Sequence, residues 1–146
     1  LSAEGKYEVS DDVKAKLSEE FCAGFCDDEQ TKATIHEIYE KYSYTCDTHT
    51  AVAVKVYEDY KKSTGDATKT IIASTASPYK FSAAVLEAIE GKTSDISEYE
   101  KVDRIAELSD IPVPSALADL KNKPERFNDV IDKNDQKAYV LKTLGI

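Results

Sequence analysis

Apolar residues recur along this chain mostly at helical spacing. Val13, Leu17, Phe21 and Phe25 fall at intervals of four and predict an apolar stripe on a first helix. Ser10 stands as its cap, with Asp11 and Asp12 in the first turn, where the helix dipole favours acids. Asp27 and Asp28 restart the pattern. Ile35, Ile38, Tyr39 and Tyr42 then trace an amphipathic helix, with His36 off its apolar face. A third helix is expected over residues 47–62, capped by Asp47 or Thr48. Ala53, Val56, Tyr57 and Tyr60 lie on one face, and Val52 and Val54 widen it. Gly65-Asp66 ends it in a turn.

Residues 70–73, Thr-Ile-Ile-Ala, read differently. They are apolar, partly β-branched and bounded by turn signals, which predicts a short buried strand. Residues 5–9 offer a weaker second strand. Ser77-Pro78 is a cap with proline at the first helical position. Phe81, Ala84, Val85, Ala88 and Ile89 continue a helix that Gly91 closes. Tyr99, Val102, Ile105 and Ala106 suggest another helix, interrupted by Pro112 and Pro114. Leu117 and Leu120 suit a turn or two more, Pro124 breaks the chain again, and Asn134 or Asp135 caps a last helix carrying Leu141 and Leu144. The expected tally is α/β: about seven helices with one or two short strands. One or two short strands make no stable sheet alone, so the strand at Ile71 implies pairing partners outside this chain.

Composition narrows the class. With 146 residues, 41% hydrophobic and 32% charged, the chain can bury a real core, and no apolar run is long enough to predict a membrane span. The formal charge of −9 argues against nucleic acid as a partner. No cationic start followed by an apolar stretch opens the chain, so no signal peptide is expected. There is no methionine, so residue 1 is no initiator, and the chain is expected to be a piece of something longer.

Cys22, Cys26 and Cys46 are an odd number, which favours reduced thiols and a cytoplasmic location. With His49 they supply three sulfurs and one imidazole, a conceivable zinc set. Cys22 and Cys26 are better read as small apolar residues stacked four apart on a helix, and no metal site is expected. Asp47 beside His49 offers an acid–base pair, although capping alone accounts for the Asp. The five glycines are scattered, so no loop here can cradle a phosphate. The richest junction is 71–78, where the expected strand ends in Ser74 and Thr75 just before the capped helix. Strand ends in open α/β sheets are where ligands bind, and a hydroxyl there can meet a ligand heteroatom or merely satisfy a turn amide.

Three stretches carry a resemblance. Asp47-Thr48-His49-Thr50-Ala51-Val52, then Thr64-Gly65-Asp66, then Ser74-Thr75-Ala76-Ser77-Pro78-Tyr79-Lys80-Phe81 resemble the C-terminal part of threonine synthases, in order and in separation. Phe21-Cys22-Ala23-Gly24-Phe25 and Asp27-Asp28-Glu29-Gln30-Thr31 are similar to the stretch that precedes them. The likeness is good over residues 1–90 and loose beyond. Thr48 replaces a common proline, and Ser77 a common histidine.

The resemblance implies a helix-rich C-terminal segment of a pyridoxal phosphate (PLP) enzyme with the fold of the tryptophan synthase β chain. Residues 47–90 would be its helix–strand–helix core and 91–146 a helical tail. The reaction implied is conversion of O-phosphohomoserine and water to threonine and phosphate. The family's Schiff-base lysine and Gly/Asn-rich phosphate loop lie upstream of such a segment, and neither motif is found here. No catalytic residue is therefore expected, and the N-terminal part of the same enzyme is the expected partner. What the resemblance assigns to this chain is the contact to the pyridine nitrogen: Thr75, with Ser74 second. Asp47, His49 and Lys80 match motif positions without an assigned role. The competing expectation is a free-standing helical interaction or regulatory domain descended from the enzyme.

Overall fold

The computed structural model describes residues 5–109 and 111–146. Among them are seven α-helices and no strand: α1 (Asp11–Glu20), α2 (Asp28–Tyr42), α3 (Thr48–Thr64), α4 (Ser82–Glu90), α5 (Glu98–Ser109), α6 (Ser115–Leu120) and α7 (Gln136–Leu144). A 3₁₀ turn, Pro78–Phe81, leads into α4. The chain divides into two compact units, one running to Val113 and the other Pro114–Ile146.

The first unit is built on α4, which packs against α2 on one side and α5 on the other, while α2 also packs against α3. Its core is Ile35 and Ile38 from α2, Val85, Leu86, Ala88 and Ile89 from α4, and Val102 and Ile105 from α5. Each such side chain contributes about 1.5–3 kcal/mol by leaving water. Side chains pin the stack at its edges. Tyr39 donates to the carbonyl of Leu108, Tyr79 donates to that of Ile111, and Lys32 pairs with Glu87 at 3.1 Å. His36 is exposed, but its Nδ1 lies 3.0 Å from the Ala88 carbonyl, so that nitrogen carries the proton and ties α2 to α4.

Several helix ends follow the sequence signals, whereas Ser10 and Asp135 stand at the starts of α1 and α7 without a side-chain cap bond. Asp27 and Gln30 form a reciprocal capping box at the start of α2, satisfying two amides that have no partner within the helix. Gly65 and Gly91 end α3 and α4 with φ near +70°, a conformation that costs glycine nothing.

Three expectations are corrected. Residues 70–73 form no strand. Ile71 is 93% exposed, and among the described residues no second strand is there to pair with this stretch and no backbone–backbone hydrogen bond holds it. The 47–90 core is thus helix, irregular segment, helix. Residues 5–9 are likewise exposed and without regular structure. The stripe from Val13 to Phe25 is not one helix either. α1 stops at Glu20 and buries nothing; Phe21 is already extended, and Phe25 is 89% exposed. The path after α1 brings Gly24 against α3, where an added Cβ would stand 2.8 Å from Val56 Cγ1. That approach requires glycine and is incompatible with a continuous helix stacking Cys22 and Cys26 on one face.

The second unit contains α6 and α7. Asp135 stands at the start of α7, and the Tyr139 hydroxyl donates to Asp129 at 2.5 Å. That bond raises the Tyr139 phenol above its ordinary value. Phe127 and Val130 are almost bare.

One polar group in the first unit stands out. Thr45 Oγ1 is fully buried and has no hydrogen-bond partner among the described residues. An unsatisfied buried hydroxyl costs about 1–3 kcal/mol. Thr45→Val keeps the shape and removes the cost, so its stability in urea unfolding is expected to equal or exceed the parent's. Ile105→Ala at the α4–α5 contact is expected to lose about 2–5 kcal/mol in the same measurement.

Candidate functional site

The first turn of α3 and the segment before the 3₁₀ turn are brought together by side chains. Asp47 caps α3 and is wholly buried. Its Oδ1 accepts the backbone amides of His49 at 2.8 Å and Thr50 at 3.3 Å, and its Oδ2 lies 2.5 Å from Thr50 Oγ1. Thr50 Oγ1 is also 3.0 Å from Ser74 Oγ. A hydroxyl has one proton, and a carboxylate only accepts, so Thr50 donates to Asp47 and Ser74 donates to Thr50. The result is a directed chain, Ser74 to Thr50 to Asp47, ending on a buried anion held by three donors.

Ser74 therefore has its proton engaged. Thr75 is exposed, and its hydroxyl has no partner among the described residues. Ser77, the third hydroxyl of the junction, accepts from the Tyr79 amide at 3.4 Å and caps the 3₁₀ turn. Beside Ser74 lies a groove of about 540 Å³ between α2 and α3, walled by Tyr42, Tyr44, Tyr57 and Ile72. The junction thus sorts its hydroxyls: Ser77 caps, Ser74 anchors and Thr75 is free.

The other candidates stand apart from it. His49 is largely exposed, its ring 5.0 Å from that of Phe81 and its Nδ1 3.5 Å from Asp47 Oδ1. It lines a second groove, of about 600 Å³, with Cys26, Lys32 and Glu87. Lys80 lies exposed on the 3₁₀ turn, its ammonium 5.4 Å from the neighbouring Phe81 ring. Among the described residues, no three His, Cys, Asp or Glu side chains converge to hold a metal ion. Cys22 is exposed, Cys26 Sγ is 3.2 Å from Thr31 Oγ1, and Cys46 is buried. No helix is long and apolar enough to cross a membrane among the described residues.

Thr50 is the residue that sequence reasoning passed over. Its place three residues after an Asp cap marks it as part of a helix start. Its reach to Ser74, 24 residues on, has no local signature.

The profile for "Threonine synthase, C-terminal" matches residues 50–140. The chain belongs to the family of threonine synthase C-terminal domains. Similar proteins include threonine synthase-like 1 from Macaca fascicularis, 24% identical over 99% of this chain and 20% of that protein. The Homo sapiens protein of that name is 25% identical over 96% of this chain and 19% of its own length. The Mus musculus one is 31% identical over 77% of this chain and 15% of itself. The chain spans about a fifth of the length of the first two. The threonine synthase match begins at Thr50, so it takes in Thr50, Ser74 and Thr75 and leaves Asp47 just outside.

Burial, and then the adjacent Asp47 carboxylate, push the Cys46 thiol up to about 11 from an ordinary value of 9.0. Between those two values the folded chain keeps a proton that the unfolded chain releases. The unfolding midpoint in urea is therefore expected to fall as pH rises from about 9 towards about 11. In native thiol labelling at pH 8, exposed Cys22 is expected to react while Cys46 stays protected.

Proposed function

We propose that this chain is the C-terminal part of an enzyme that converts O-phosphohomoserine and water to threonine and phosphate with PLP. The observation that carries the reading is the Thr50–Ser74 bond, because it joins side chains from the two motifs that resemble threonine synthases. A shared contact gives both motifs one location and one purpose: holding the Ser74-Thr75 hydroxyls in place.

The residues present fit the pyridine edge of the cofactor. A pyridine nitrogen needs one neutral donor, and Thr75 offers an exposed hydroxyl with no partner among the described residues. When bound, PLP supplies the electron sink for elimination and replacement at an amino acid. Thr75 would set the strength of that sink. A hydroxyl donates one hydrogen bond and leaves the nitrogen largely unprotonated, where an Asp would hold it charged. Ser74 would keep the turn in place beside it. This chain is expected to supply no catalytic residue, and the N-terminal part of the same enzyme would bring the lysine, the phosphate loop and most contacts to substrate. Phe21, Phe25 and Ile71, all more than 70% exposed, support a covering partner over a free-standing domain. A cytoplasmic location, with reduced thiols, accompanies this reading.

The test is Thr75→Val in the longer protein containing this segment. Phosphate release from O-phosphohomoserine is expected to fall about tenfold, the rate equivalent of ~1.4 kcal/mol for one hydrogen bond, with a shifted cofactor absorbance band. An unchanged rate together with an unchanged spectrum would remove Thr75 from the site. The isolated 146-residue chain is expected to release no phosphate.

A further inference from the structure

We propose that Asp47 and Thr50 are positioning residues: they fix the Ser74-Thr75 turn by engaging the Ser74 hydroxyl, so that the neighbouring Thr75 hydroxyl is held in place to face a ligand. The ligand-facing part of this inference rests on the functional reading above; the positioning part rests on geometry. Residues 69–76 need such an anchor, since no backbone–backbone hydrogen bond holds them among the described residues. Ser74 is the residue through which they are tied, and its bond runs to a helix 24 residues back in the chain.

The proton count makes the tie one-directional. Asp47 has no exposed surface, so its carboxylate must be met by donors from the protein. Two of these are amides of α3, which any residues at those positions would supply. The third is the Thr50 hydroxyl, and only a side chain can provide it. Once Thr50 has given its proton to Asp47, its oxygen can only accept, and the nearest donor is Ser74. A hydrogen bond onto a hydroxyl that is itself donating to an anion is strengthened by polarisation along the chain. Ser74 is thereby left with its proton engaged, its oxygen still exposed at the edge of the groove between α2 and α3. The two neighbouring hydroxyls, interchangeable in the sequence, acquire different tasks.

The experiment is ¹⁵N relaxation on the chain and its Thr50→Val and Thr50→Ser variants. Thr50→Val removes the hydroxyl, keeps the volume and leaves both amide bonds to Asp47. Order parameters at Ser74 and Thr75 are expected to fall from near 0.85 to below about 0.6, while α2 and α4 stay rigid. Thr50→Ser restores the hydroxyl and is expected to restore the order; a purely space-filling role for Thr50 would not be rescued this way. Should Thr50→Val not fold, Ser74→Ala breaks the same bond from the other end and is expected to loosen Thr75 equally. Unchanged order at Thr75 in whichever of these variants folds, or a Thr50→Ser variant as loose as Thr50→Val, would overturn the proposal. Loss of order here, combined with an unchanged cofactor spectrum for Thr75→Val in the longer protein, would leave the anchor standing and refute the functional reading instead.

Discussion

A carboxylate with none of its surface in water imposes conditions on everything around it. Asp47 meets those conditions with two amides from the first turn of α3 and the hydroxyl of Thr50. The usual contribution of a helix cap is about 1 kcal/mol and purely local. This one is different because its third donor carries the bond onward to Ser74. The start of α3 and the contact to the junction before the 3₁₀ turn thus meet at one buried charge, with Cys46 buried next door. The same charge helps keep the Cys46 thiol protonated. Local electrostatics and the arrangement of the candidate site are two views of one residue.

Around that point the first unit is unevenly finished. The stack of α3, α2, α4 and α5 is closed and well packed, with Ile35, Val85 and Ile105 wholly buried. Segment 21–27, which precedes it in sequence, and segment 69–76, which links α3 to the 3₁₀ turn before α4, lie open, with Phe25 and Ile71 almost fully in water. Burying such side chains is favourable, and a chain that can do so internally generally does. Phe25 and Ile71 nevertheless stay exposed beside the packed stack.

Helices were legible because their signals are local. Asp47, Ser77, Gly65 and Gly91 each act within a few residues, and each sits at the helix end its chemistry predicts. What failed was inference that needed a partner. Residues 70–73 have strand composition, but a strand is defined by pairing, and no pairing is available among the described residues. The stripe from Val13 to Phe25 has helical spacing, but Gly24 has to pass close to Val56, and that requirement comes from α3. The site was half visible for the same reason. Ser74 and Thr75 could be picked out as hydroxyls at a junction, yet the contact from Thr50 to Ser74, 24 residues apart, leaves no local mark in the sequence.

The central place of α4 also has a cost in time. Its contacts with α2 join distant parts of the chain: Lys32 and Glu87 are 55 residues apart. During synthesis α2 and α3 emerge first, and Ile35 and Ile38 remain without their α4 cover until that interval has been made. At about 5–20 residues per second this is a window of roughly 3–10 s. The nascent α2–α3 pair then carries Ile35 and Ile38 as an uncovered aliphatic ridge until α4 has been made.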